Sequence, residues 1–315
     1  MRHHPFDAML SRRAPRSVGA VLPAAAGIPT LITLLSLCLL AGAARGADPP
    51  ASVPAPEDPQ AAGQPQSSEP RGEIVLRIVY DNNPYQEGLE TAWGFSCVIT
   101  GCEKTILFDT GGEGEILLRN MHTCGVDPGQ IDIVVLSHIH GDHTGGLDEF
   151  LAVNPDVEVY LPKVFPDEFK AQARRVAAKV IETDGPQEIC AGVCTTGVLM
   201  QPIPEQGISI DTPDGILVIT GCAHPGIVEI TRAAHEHTKK PVQLVLGGFH
   251  LGRATQDQID RVIDGLKKLS VQQVAPTHCT GDEARRRMKE AFGERYLDVG
   301  VGRRLTFSAG AKKPA

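Results

Sequence analysis

"SHIHGDHTGG", residues 137–146, sets three histidines and an aspartate within six positions, His138 to His143. The apolar run DIVVLS (132–137) leads straight into it. Along a strand side chains repeat every two residues, so His138 and His140 point the same way. Gly141 permits a sharp turn. Asp142 and His143 then project from the loop, and the following Thr144-Gly145-Gly146 lets a helix start close by. Two pairs, His138/His140 and Asp142/His143, thus face a common pocket. Neutral imidazole and carboxylate suit zinc, iron or manganese, and two such ions a few ångströms apart make a hydrolytic clamp. Histidines also gather in polar surface loops. Four metal-competent groups framed by glycines at the carboxyl end of an apolar strand favour a metal site instead.

The surrounding pattern predicts layers. EIVLRIVY (73–80), FSCVIT (95–100), KTILFD (104–109), DIVVLS and VEVYLP (157–162) are strand-like, split by turn residues. EGEILLRNMHTCG (113–125) predicts a helix closed by Gly125, and GLDEFLAVNP a short one. Farther on, VCTTGVLM and GISIDTPDGILVIT predict antiparallel strands, the latter turning at Pro213-Asp214-Gly215. PGIVEITRAAHEH predicts a helix with Pro225 at its first position. VQLVLGG and QQVAPTH are strands. TQDQIDRVIDGLKKLS places Ile259, Val262, Ile263, Leu266 and Leu269 on one face, with Thr255 and Gln258 as a capping box. Thr280 and Glu283 predict a second box before DEARRRMKEAF. Strands alternating with one-faced helices imply an α/β fold, sheet at the centre and helices outside.

SHIHGDHTGGL resembles the His-x-His-x-Asp-His signature of the metallo-β-lactamase superfamily, and FDTGG (108–112) resembles its upstream aspartate-glycine element. The resemblance covers 72–307 and implies a four-layer αβ/βα sandwich with metals at one edge of the two sheets. It implies that His138 and His140 hold a first metal, that Asp142 and His143 hold a second, and that Asp109 orients a ligand. The superfamily pattern adds a later histidine, a bridging aspartate and a final histidine. Here no histidine occurs between 144 and 223, and the strand GILVITG runs into Cys222-Ala223-His224 where an aspartate is expected. His224 therefore takes the third-ligand role, with Cys222 a thiolate ligand or a packing residue. His278 in PTHCTG matches the final histidine, and His250 in GGFHL either ligates or donates hydrogen bonds to substrate. The cofactors implied are two divalent ions, zinc first, then manganese or iron. TGCAHPGIV, GGFHL and HCTG together resemble the branch containing a dihydropterin–ribofuranosylaminobenzene phosphate synthase, a transferase displacing diphosphate.

Bulk properties set the context. The chain has 315 residues, a formal charge of −8 and 42% hydrophobic residues, as expected of one sizeable globular domain. Its acidic balance gives no reason to expect nucleic acid. Basic residues from Arg12 to Arg16, the apolar stretch LITLLSLCLLAGA (31–43) and small residues to Ala47 predict an export signal over 1–47. That stretch is shorter than the roughly 20 residues of a spanning helix, so no stable membrane span is expected after its removal. Seven of the 24 prolines fall between Asp48 and Pro70, predicting a disordered linker over 48–71. The folded domain is expected over 72–307 and a tail over 308–315, in an exported protein, periplasmic or secreted. Seven cysteines follow the signal, an odd number, and a Cys190–Cys194 disulfide is one option against ordinary thiols.

The function expected is a dinuclear metal-dependent hydrolase of a small phosphorylated or ester-like substrate. Asp142 accepts a proton and His250 assists. The alternatives are the synthase transfer of the resembled branch and a non-catalytic metal-binding module. An iron redox protein of the same fold is disfavoured, because His140 stands where such proteins carry glutamate. Arg253 is a candidate anion contact, weighed against a plain surface charge.

Overall fold

The computed structural model describes residues 72–310. The expected export signal, the linker and residues 311–315 of the tail lie outside the described residues. Six strands open the domain: β1 (Glu73–Asp81), β2 (Phe95–Thr100), β3 (Ile106–Phe108), β4 (Ile133–Val135), β5 (Glu158–Pro162) and β6 (Lys179–Thr183). The next six are β7 (Glu188–Cys190), β8 (Val193–Thr195), β9 (Ile208–Thr212), β10 (Gly215–Thr220), β11 (Val242–Gly248) and β12 (Gln273–Thr277). β13 (Arg304–Ser308) returns to the first group. One sheet runs β13-β1-β2-β3-β4-β5-β6 and the other β12-β11-β10-β9-β8-β7.

Alternation of side chains separates the layers. Ile74, Leu76 and Ile78 of β1, Phe95, Cys97 and Ile99 of β2, and Leu217 and Ile219 of β10 share one core between the sheets. The intervening Val98, with Leu107 and Val134, faces helices on the first sheet's other side. These are α1 (Gly114–Thr123), α3 (Leu147–Val153) and α4 (Asp167–Val176), with the single turn α2 (Gly141–Thr144) between the first two. Ile216 and Val218 likewise face α5 (Ile227–Thr238), α6 (Gln256–Lys268) and α7 (Asp282–Phe292). The result is the four-layer αβ/βα sandwich. Each fully buried aliphatic side chain contributes about 1.5–3 kcal/mol, so the period-2 pattern sets the register of every central strand.

Local chemistry departs from the sequence expectation in three places. Residues 163–190 gave no clear signal, yet α4 and β6 form there. The helix is mostly polar, with only Phe169 and Ala173 turned to the core, and its buried Lys170 is satisfied by Lys163 O at 3.0 Å and by Glu182. Pro225 does not open α5: Gly226, at φ 103°, is the N-cap and the helix starts at Ile227. Thr280 does not cap α7 either. Its hydroxyl donates to Thr277 O (2.6 Å) and accepts from Phe249 N, tying the end of β12 to that of β11, and Gly281 is the N-cap. The Thr255/Gln258 box forms in full, with both reciprocal bonds. The seven described cysteines are all free, Cys190 and Cys194 included. Among the described residues no helix is long and apolar enough to cross a membrane.

The parallel runs β3-β4-β5-β6 and β10-β11-β12 bring seven carboxyl ends to one edge. Gly221, just past β10, makes the closest approach. A Cβ there would lie 2.2 Å from Ser137 Oγ and 2.8 Å from Asp109 Oδ2, so only glycine lets the two sheet edges meet.

Candidate metal centre

The site is built on strand ends that the backbone holds under strain. Asp109 (φ 56°), Ala223 (φ 57°), His250 (φ 52°) and His278 (φ 49°) take left-handed conformations just beyond β3, β10, β11 and β12. Each costs a non-glycine residue on the order of 1 kcal/mol. Such strain persists where neighbours over-determine it, and it gathers at functional sites. Here it bends the chain at the ends of four strands that border one centre.

Two groups form at that point. In one, His138, His140 and His224 offer ligand atoms within 4.8 Å of one another; in the other, Asp142, His143, Cys222 and His278 do the same. The His138 and His143 rings lie 4.3 Å apart, so the groups adjoin. His138, His143, His224 and His278 are buried, while Asp142 keeps 22% of its side chain exposed.

The hydrogen bonds dictate which ring nitrogens face inward. His143 Nδ1 donates to Asp109 Oδ2 at 2.7 Å. His224 Nδ1 donates to Glu205 Oε2 at 2.9 Å. His278 Nδ1 donates to Asn82 Oδ1 at 2.8 Å, the amide being oriented by its own Nδ2 donating to His278 O. Ser137 Oγ donates to Asp109 Oδ2 and so accepts from His138 Nδ1 at 2.9 Å. With four Nδ1 protons engaged outward, four Nε2 lone pairs are left for the interior. His143 Nε2 lies 3.2 Å from His278 Nε2 and 3.2 Å from Cys222 Sγ; His138 Nε2 lies 3.2 Å from His140 Nδ1. Facing lone pairs repel unless a positive charge lies between them.

Electrostatics agree. Burial, reinforced by His143, holds His138 down at about 3, and burial with His278 holds His143 at about 3, so both rings stay neutral with lone pairs free. Burial opposes ionisation of Asp142, but His278 and His143 draw it below the usual carboxylate range. Glu205 is also drawn down against its burial, by His224 and His138. Asp109 differs: burial lifts it to about 7, with His138 and Ser137 resisting. The hydrogen bond shared by Cys222 and Cys279 raises the first thiol, which burial raises further, and lowers the second.

Neutral imidazoles, an ionised carboxylate and a thiol are a donor set that fits divalent cations, zinc above all. The residues that would hold two ions are His138, His140 and His224 for one, and Asp142, His143, His278 and Cys222 for the other. All eight sequence candidates at 109, 138, 140, 142, 143, 222, 224 and 278 meet here. His250 stands at the rim, exposed, its ring 4.5 Å from that of His224. Arg253 is exposed.

Sequence reasoning missed Glu205 and Asn82. Glu205 is fully buried and accepts from the amides of Cys222, Ala223 and His224, from Thr220 Oγ1 and from His224 Nδ1. Its only sequence signal is an acidic residue between Pro204 and an apolar strand. Asn82 lies in an Asp-Asn-Asn-Pro turn that reads as nothing more than a turn.

Residues 94–233 match the model of the metallo-beta-lactamase superfamily. The chain is 29% identical over 282 residues to the 7,8-dihydropterin-6-methyl-4-(beta-D-ribofuranosyl)-aminobenzene-5'-phosphate synthase of Methanocaldococcus jannaschii, covering 74% of this chain and 96% of that protein. It is 26% identical to a solved metal-dependent hydrolase of the beta-lactamase superfamily, with a TM-score of 0.64 over 75% of this chain and 99% of that one. A metallo-beta-lactamase fold protein from Bacillus subtilis, 13% identical, shares the fold with a TM-score of 0.56 over 75% of this chain and 100% of its own. Sheet order, strand-end histidines and these similarities all point to the metallo-beta-lactamase superfamily, whose model the chain matches over residues 94–233.

Proposed function

We propose that the protein is a dinuclear metal-dependent hydrolase of a small phosphorylated or ester-like substrate. The carrying observation is the inward convergence of imidazole nitrogens whose Nδ1 protons are engaged elsewhere, with Asp142 beside them. When bound, the cations supply Lewis acidity toward a phosphoryl or acyl oxygen and activate water. The chain's own groups do the rest. Asp142 Oδ2 faces His143 (3.6 Å) and His278 (3.4 Å), which leaves Oδ1 to take a proton from the attacking water. Asp109, Glu205 and Asn82 hold the rings in one tautomer and orientation. His250, at the open rim, donates a hydrogen bond to the substrate.

A second reading is supported by the similarity to the methanogen synthase: group transfer, in which an amine rather than water attacks and diphosphate leaves. The same charge neutralisation serves either outcome. We further propose that the protein acts outside the cytoplasm, on the strength of the leader pattern in 1–47.

Zinc- or manganese-loaded protein should hydrolyse members of a panel of phosphoesters, lactones and β-lactams, and Asp142→Asn should lose that turnover. Formation of a carbon–nitrogen bond from a pterin-methyl diphosphate and an aryl amine, without hydrolysis, would favour transfer. Protein that retains no cation after loading under reducing conditions would end both readings.

A further inference from the structure

We propose that Cys222, His250 and Cys279 form a third cation position, for a soft, sulfur-seeking divalent ion, at the open side of the centre. The inference goes beyond the two cation groups used above. The donor atoms of these three residues all lie within 4.8 Å of one another. An ion bound at about 2.0–2.3 Å separates two of its ligands by at most about 4.6 Å, so the trio needs little movement to close on one.

The fold makes room for this arrangement. Cys279 Sγ donates to Cys222 O at 3.6 Å, which brings the thiol over the end of β10. It rests against Gly248, where a Cβ would lie 2.7 Å from Cys279 Sγ and 2.6 Å from Gly221 O, so any side chain at 248 would displace the sulfur. His250, turned off β11 by its left-handed backbone, brings an exposed imidazole to the same spot. Three protein ligands with one side open leave a coordination place for solvent or substrate.

Ligand type separates this position from its neighbours. The group of His138, His140 and His224 is all nitrogen, and that of Asp142, His143, His278 and Cys222 has one sulfur among nitrogen and oxygen, whereas this one has two sulfurs. Two sulfurs with one imidazole select zinc or cadmium over magnesium or manganese. Cys222 Sγ also lies 3.2 Å from His143 Nε2, so its thiolate can bridge the new position and the mixed group. On binding, each thiol releases its proton to solvent.

The test uses the full chain, reduced, stripped with chelator and titrated with cadmium. Cadmium per chain and the ultraviolet sulfur-to-cadmium absorption are read together, with a Cys222→Ser/Cys279→Ser double variant as the baseline for the remaining thiols. Cys279→Ser should bind one cadmium fewer than wild type and lose about half of the absorption above baseline, one sulfur of two. His140→Ala should keep that absorption at the wild-type level while losing its own ion, so failure of the all-nitrogen group is distinguishable from failure here. In wild type, cadmium saturation should block alkylation of Cys279, read by peptide mass, a measurement independent of any variant's folding. Retention by Cys279→Ser of either the wild-type count or the wild-type absorption overturns the proposal, as does alkylation of Cys279 in the saturated wild type.

Discussion

Two buried carboxylates brace the centre from opposite sheets, and they are held differently. Asp109, beyond β3, accepts from Ser137 N, Ser137 Oγ and His143 Nδ1. Glu205, in the loop before β9, accepts from three consecutive amides, one hydroxyl and His224 Nδ1. Both are fully buried, yet burial wins at Asp109 and raises it to about 7, while at Glu205 the donors win and keep it ionised. At equal burial, the donors and the neighbouring charges together decide whether a carboxylate carries fixed charge: His224 and His138 favour it at Glu205, while Glu205 itself opposes it at Asp109. Glu205 is thus the structural anchor of the turn at 222–224, whereas Asp109 mainly orients His143 and Ser137.

That contrast can be broken by experiment. The largest effect is expected from Glu205→Ala, which strands three amides and a histidine in the interior. Urea denaturation of the metal-free protein should show a loss of about 3–5 kcal/mol, and the histidine group should lose its ion. A smaller loss than that of Asp109→Ala would reverse the comparison. Next comes cation removal. Ions that bind only the folded state stabilise it by about 2.7 kcal/mol at a hundredfold excess over Kd, so chelation should lower Tm, and a Tm indifferent to chelator would count against both groups. Asp109→Asn keeps the shape but weakens the hold on His143. Competition with a chromophoric chelator should report about 10–100-fold lower affinity for one ion, with little change in metal-free stability. Thr255→Ala, remote from both carboxylates, sharpens the baseline: loss of the capping box should cost about 1 kcal/mol without altering cation content.

The first sheet's share of the centre was legible because it is local. His138, His140, Asp142 and His143 fall within one strand end and one turn, where side-chain period and a glycine bend suffice to predict a common pocket. The second sheet contributes residues from three strand ends: Cys222 and His224 past β10, His250 past β11 and His278 past β12. Those could be nominated by residue type and resemblance, but their grouping needed the parallel packing of β10, β11 and β12. Thr280 shows the limit from the other side. A Thr-x-x-Glu spacing predicts a cap, but the hydroxyl finds Thr277 O and Phe249 N first, because strand ends are pinned there by tertiary contact. Polar-rich α4 was invisible because its apolar face is reduced to Phe169 and Ala173, with the buried Lys170 held by its acidic partners.

Sequence alone determined the alternating strands, the layered class and the histidine-aspartate cluster, since each is written in spacing that short-range geometry converts directly into direction. Tertiary structure decided which nitrogens face inward, which carboxylate stays charged, and that Cys279 joins Cys222 and His250. Those properties depend on donors from residues far apart in the chain, which strand pairing within each sheet and the approach of the two sheets at Gly221 bring together.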